Sequence, residues 1–268
     1  MTSPTAQGAS RTEARIRAAN KTGAGALVGY LPIGYPDLAT SIEAAITLTR
    51  HGVDVLELGL PYSDPVMDGP TIQAATTKAL ENGFRLRHAM EAVREISGAS
   101  DVPVLCMTYY NPVLAYGVER FAAELAEAGG AGLITPDLVP DEAGEWLAAS
   151  DAAGLDRVFL AAPTSSDERL EHAARRSRGF TYVVSTMGIT GARTDVDSAA
   201  RTLVDRLRAI TDRPLAVGLG ISSGAQVAEV LGYADGAIVG SRLVSALGQG
   251  LDALADAATE LATGTRHR

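Results

Sequence analysis

The 268-residue chain has one cysteine, two lysines, four histidines and one tryptophan. A single thiol, Cys106, excludes an internal disulfide framework and any multi-thiolate metal site. Of 23 basic residues only Lys21 and Lys78 are lysines, so a Schiff-base mechanism has two candidate nucleophiles. No apolar run approaches the ~20 residues of a membrane span, and no basic-then-apolar leader opens the chain. A cytoplasmic protein is therefore expected. Acidic residues number 32 and the formal charge is −9, which argues against a nucleic-acid or anionic-membrane surface. What remains is 46% hydrophobic and 21% charged, the balance of a soluble globular chain.

Residues 1–12 are small and polar and read as a flexible terminus, leaving residues 13–268 as one domain. Weak helical character over 12–22 predicts a short extra helix at the N-terminus. A regular beat follows. Apolar or β-branched runs lie at 27–33 (LVGYLPI), 55–61 (VLELGLP), 102–109 (VPVLCMTY), 131–137 (AGLITPD), 157–163 (RVFLAAP), 180–186 (FTYVVST), 214–220 (PLAVGLG) and 236–241 (GAIVGS). Between them the apolar residues recur with helical period, as at Ile42, Ala45 and Ile46 or Leu203, Leu207 and Ile210. Strands buried on both faces and separated by helices imply a parallel sheet. Eight such units match a (β/α)8 TIM barrel, an α/β fold; an open doubly wound sheet is the competing topology.

In a barrel of this kind the site lies at the C-terminal ends of the strands. Glu57 interrupts the second apolar run, and alternation puts Val55, Glu57 and Gly59 on one face, toward the barrel axis. A carboxylate buried there is costly unless it is paired or holds a proton. It reads either as a structural acceptor or, the favoured reading, as a general acid/base tuned by burial. Asp68, in an Asp-Gly-Pro turn, is by residue type a turn former, but its loop leaves the strand that carries Glu57, so both carboxylates can face one cavity. Asp64 stays ambiguous. Glycine-rich stretches at 188–192, 218–223 and 240–241 follow the last three strands, where converging N–H groups and a helix start can hold a phosphate without a basic side chain.

His51, His88 and His172 fall in helical segments and His267 in the tail, which makes a His-ligated metal at the strand ends improbable. Neither lysine stands at a strand end. Cys106 and Trp146 read as packing residues. A phosphate grip and two carboxylates, without metal or lysine, suit proton transfer. They suit carbon–carbon cleavage only if the substrate supplies its own electron sink, such as an electron-rich heteroaromatic ring. Tyr30 and Tyr182 could border such a ring, or be core tyrosines.

The runs Tyr30-Leu-Pro-Ile-Gly-Tyr-Pro36, Glu57-Leu-Gly-Leu-Pro-Tyr-Ser-Asp-Pro65 and Asp68-Gly-Pro-Thr-Ile-Gln73 closely resemble the tryptophan synthase alpha chain family. So do Met107-Thr-Tyr-Tyr-Asn-Pro112, Pro136-Asp-Leu-Val-Pro140, Gly188-Ile-Thr-Gly191 and Gly218-Leu-Gly-Ile-Ser222. The resemblance implies a lyase that cleaves indole-3-glycerol phosphate to indole and glyceraldehyde 3-phosphate by retro-aldol chemistry, in tryptophan biosynthesis. It assigns Glu57 as the group that protonates the indole C3, and Asp68 as the acceptor of the indole N–H. It places Tyr30, Ile72, Tyr182 and Thr190 beside the substrate, and Gly191, Gly220, Gly240 and Ser241 at its phosphate. It implies mobile loops at about 61–70 and 187–198. It also implies a beta-chain partner in an α2β2 assembly, with pyridoxal phosphate in that partner and no cofactor in this chain. Two departures are Thr186, where many members carry arginine, and Tyr30, where phenylalanine is common. A free-standing lyase releasing indole for another pathway shares every motif. A catalytically idle regulatory subunit would have lost Glu57 or Asp68.

Overall fold

The computed structural model describes residues 10–184, 193–218 and 220–266, with only the backbone described over 193–197. Nine parallel strands are present among them: β1 (Ala26–Pro32), β2 (Val55–Gly59), β3 (Val104–Met107), β4 (Gly132–Ile134), β5 (Asp156–Val158), β6 (Leu160–Ala161), β7 (Thr181–Val184), β8 (Leu215–Gly218) and β9 (Gly236–Val239). β1 pairs with both β2 and β9, and the order is β5-β4-β3-β2-β1-β9-β8-β7-β6. β5 and β6 are one stretch of chain broken at Phe159. Its first half pairs with β4 and its second with β7, so the ring closes through this one strand. The eight strands read from sequence are thus an α/β (β/α)8 TIM barrel, its fifth strand counted twice.

Alternation divides the core into two layers. Ala26, Val28, Val55, Leu105, Ile134, Val158, Phe180, Ala216 and Ile238 fill the barrel interior. Leu27, Leu31, Leu56, Leu58, Cys106, Leu133, Val183, Val217 and Val239 face the surrounding helices. The N-terminal helix Arg11–Lys21 begins at Ser10, whose side chain accepts from Glu13 N–H at 3.0 Å. Its Ile16 is fully buried and packs with the interior layer, closing the N-terminal end of the barrel.

The ladders end earlier than the apolar runs suggest. The run 102–109 gives only Val104–Met107, because Pro103 has no N–H to pair and Tyr110 already starts the helix Tyr110–Tyr116. That helix is capped from outside its own unit. The Asp137 carboxylate accepts from Tyr110 N–H at 2.9 and 3.1 Å, satisfying a first-turn donor. Pro112 sits within the same first turn, where its missing N–H costs nothing. Among the described residues no helix is long and apolar enough to cross a membrane.

At the N-terminal end of the barrel Asp156 and Arg178, both buried, form an ion pair at 3.3 Å. Ser10 Oγ donates to Asp156 at 2.8 Å, which ties the N-terminal helix into the pair. Removing one partner of a buried pair strands the other charge. Asp156→Ala is therefore expected to lower unfolding stability by ~3–5 kcal/mol, measured by urea denaturation.

Candidate active site

Three inward-facing strand positions define the C-terminal mouth. Tyr30 on β1 and Glu57 on β2 are register partners, and Tyr182 on β7 pairs with Leu160 and Ala216. Glycine makes this arrangement possible at two points. A Cβ on Gly59 would overlap the Tyr30 hydroxyl, and one on Gly218 would overlap that of Tyr182. Each phenol thus leans across into the gap left by a glycine at the strand ends.

Glu57 is 1% exposed. Its Oε2 is buried without a hydrogen-bond partner among the described residues. Burial pushes its pKa up to about 8, and the charge of Asp68 adds to the rise. Desolvation disfavours the charged carboxylate, so at neutral pH the group holds its proton. Asp68 is only part-buried, and burial raises it to about 6. It is then mostly ionised at neutral pH, and the two carboxyl groups take opposite protonation states.

The chain brings Asp68 there through a short loop. Asp68 N–H donates to the Pro65 carbonyl at 3.1 Å, and the Asp68 carbonyl accepts from Gln73 Nε2 at 2.8 Å. Gly69 and Pro70 then start the helix Pro70–Glu81. The backbone forms the turn that its residue type suggests, while the carboxylate accepts no hydrogen bond from the described residues. Asp64 instead accepts from Ser63 Oγ at 2.6 Å and is exposed.

Tyr30, Ile72 and Gly240 converge on one wall. A Cβ on Gly240 would lie 3.4 Å from Tyr30 Cδ1 and 3.6 Å from Ile72 Cδ1. Ser241 begins the helix Ser241–Leu247 directly after β9. Gly220 follows β8 with φ +57°, a left-handed conformation, and a Cβ there would meet none of the described residues within 4 Å. Thr190 and Gly191, with Gly188 and Thr186, lie outside the described residues.

Tyr109 is a site residue that sequence reasoning misses, because it ends the apolar run 102–109. It is buried, its hydroxyl accepts from Met67 N–H at 2.8 Å, and its ring lies 5.4 Å from that of Tyr62. Burial raises its phenol to about 12, with Asp68 and Asp137 contributing. The signal the sequence carries for it is its place in the motif Met107-Thr-Tyr-Tyr-Asn-Pro112.

The remaining candidates are structural. Cys106 is fully buried on the helix-facing side of β3, and burial pushes its thiol up to about 12. Trp146 is fully buried in the helix Gly144–Ala153. Lys21 ends the N-terminal helix, and Lys78 pairs with Glu81 at 4.0 Å on an exposed helix face. Among the described residues no group of three or more His, Cys, Asp or Glu side chains is placed to hold a metal ion.

The sequence profile of the tryptophan synthase alpha chain matches residues 16–267. The tryptophan synthase alpha chain of Leifsonia xyli subsp. xyli is 67% identical over 242 residues, covering 90% of this chain and 93% of that protein. That of Mycobacterium marinum is 59% identical over 243 residues, covering 91% and 90%. A solved structure of Mycobacterium tuberculosis tryptophan synthase contains a chain that superposes with TM-score 0.92 at 53% identity, covering 96% of this chain and 99% of that one. A chain from the tryptophan synthase α2β2 complex of Pyrococcus furiosus gives TM-score 0.83 at 39% identity, covering 89% and 98%. Carrying these motifs on this barrel, the chain belongs to the tryptophan synthase alpha chain family.

Proposed function

We propose that the barrel mouth cleaves indole-3-glycerol phosphate to indole and glyceraldehyde 3-phosphate, with Glu57 as acid and base and Asp68 as the anion that stabilises the protonated ring. The observation that carries this reading is the buried Glu57 carboxyl, raised to about 8 beside an Asp68 at about 6. Glu57 delivers its proton to the ring carbon C3, and the ring becomes cationic. Asp68 accepts from the indole N–H and stabilises that charge. The bond from C3 to the side chain then breaks, and its electron pair returns to the ring. The side-chain carbon becomes an aldehyde as its hydroxyl proton passes to the Glu57 carboxylate, which restores the acid. Tyr30, Ile72 and Tyr182 border the ring. Gly220, Gly240 and Ser241 hold the phosphate through backbone N–H groups, and the family resemblance assigns Gly191 to the same phosphate and Thr190 to the substrate.

The same reading gives the chain a beta-chain partner in an α2β2 assembly, with pyridoxal phosphate belonging to that partner. It is supported by four exposed large apolar side chains: Val66, Met67, Leu114 and Val139. They stand on the segments that follow β2, β3 and β4, which are hydrogen-bonded to one another through Met67–Tyr109, Asn111–Tyr62 and Tyr110–Asp137. Apolar side chains grouped at one rim mark a protein-docking face.

Three outcomes are expected. In an assay of indole release, Glu57→Gln lowers kcat by roughly 10²–10⁴-fold while circular dichroism stays unchanged. The pH profile of kcat/KM is bell-shaped. Activity falls as Asp68 protonates below about 6, and falls again as Glu57 loses its proton above about 8. Leu114→Asp weakens beta-chain binding by about tenfold or more, equivalent to ~1.4 kcal/mol, in a calorimetric titration, with turnover of the isolated chain unchanged.

A further inference from the structure

Glu57 and Asp68 are held by different means. Glu57 is part of a paired strand, whereas the loop carrying Asp68 is largely exposed, with Val66 82% and Met67 45% accessible. Most hydrogen bonds within that loop are local: Val66 N–H to the Asp64 carbonyl, Asp68 N–H to Pro65, and Gln73 Nε2 to the Asp68 carbonyl. Local bonds shape a turn but do not fix where it sits over the barrel. Two ties cross from the neighbouring unit. Asn111 Nδ2 donates to the Tyr62 hydroxyl at 3.1 Å, early in the loop, and Met67 N–H donates to the Tyr109 hydroxyl at 2.8 Å, one residue before Asp68. Tyr109 is itself well anchored. It is 7% exposed, it packs on Tyr62, and the next residue is held through its N–H by the Asp137 carboxylate.

We propose that Tyr109 is a positioning residue for the lyase reaction, its hydroxyl clamping the Met67 N–H so that the Asp68 carboxylate is held over the barrel mouth. The inference rests on the function proposed above. Its phenol stays neutral up to about 12, so the clamp itself does not titrate across the working range. The groups that face Asp68 electrostatically are Glu57 on β2, Tyr30 on β1, Tyr182 on β7 and Tyr109. A misplacement of about 1 Å can cost up to ~10²-fold in rate, so one lost acceptor at this point bears directly on turnover.

Tyr109→Phe removes the acceptor and keeps the ring. It is expected to lower kcat by roughly ten- to hundredfold with KM within about threefold. The acid limb of kcat/KM should move from near 6 toward the ordinary carboxylate value of ~4, because a released Asp68 regains solvent. In an Asp68→Asn background the same substitution should cost less than about twofold, since residues acting through one another are not additive. Hydrogen exchange should show the Met67 amide protected in the unaltered protein, and that protection lost in Tyr109→Phe. Wild-type kcat with an unmoved acid limb in Tyr109→Phe, an equal cost in the Asp68→Asn background, or a Met67 amide unprotected in the unaltered protein or still protected in Tyr109→Phe would overturn the proposal. If the unaltered chain released no indole, the lyase reading would fall instead, and the amide exchange would still decide the clamp.

Discussion

A carboxyl group placed inside an apolar parallel barrel, one oxygen without a hydrogen-bond partner among the described residues, is the constraint around which the mouth of this molecule is built. Ionising Glu57 in that position means leaving a charge out of water with no cation beside it among the described residues, a cost of several kcal/mol. The group keeps its proton instead, and a retained proton at neutral pH is what a weak acid catalyst requires. The neighbours reinforce this state. Tyr30 and Tyr182 are neutral phenols raised well above their usual range by the same burial, and the nearby charge is the negative one of Asp68. The gaps at Gly59 and Gly218 admit those phenols without widening the barrel.

The opposite end of the barrel shows what a buried carboxylate does when it is given partners. Asp156 is as thoroughly enclosed as Glu57, yet Arg178 and Ser10 stand against it. Burial still raises its pKa, but Thr12, Ser10 and the charge of Arg178, in that order, pull it back. One end of the cylinder therefore uses a buried acid to fasten a helix to the sheet. The other leaves a buried acid uncompensated, where substrate can meet it. Such a division between a stabilising face and a reactive face follows from the parallel topology, which puts every strand's C-terminal end on one side.

The two carboxyl groups also differ in rigidity. Glu57 moves only if β2 moves, and β2 is paired on both sides. Asp68 hangs on a turn whose location depends on a few hydrogen bonds from the next unit. The loops that carry these bonds also carry the exposed Val66, Met67, Leu114 and Val139. Chemistry and the proposed docking face therefore share one hydrogen-bonded rim.

Much of this was legible in the residues. Eight apolar runs separated by amphipathic stretches specify strands buried on both faces, and strand alternation alone turns Glu57 toward the axis, because its neighbours Leu56 and Leu58 demand the helix-facing side. An acidic residue in such a run must be partnered or protonated, so its candidacy needed no coordinates. Tertiary structure alone decided which of those two it was. Arg178 lies more than a hundred residues from Glu57, and nothing in the local pattern says that the buried arginine serves Asp156 and not Glu57. Nor could the sequence place Tyr109 beside Met67, 42 residues away. In sequence it extends an apolar run; in space Pro103 and the start of the next helix cut that strand short and free its hydroxyl to reach the Asp68 loop. Periodicity records which face a side chain takes, a local property of the backbone. Which two faces meet depends on how the strands close into a ring, and only the closed barrel supplies that.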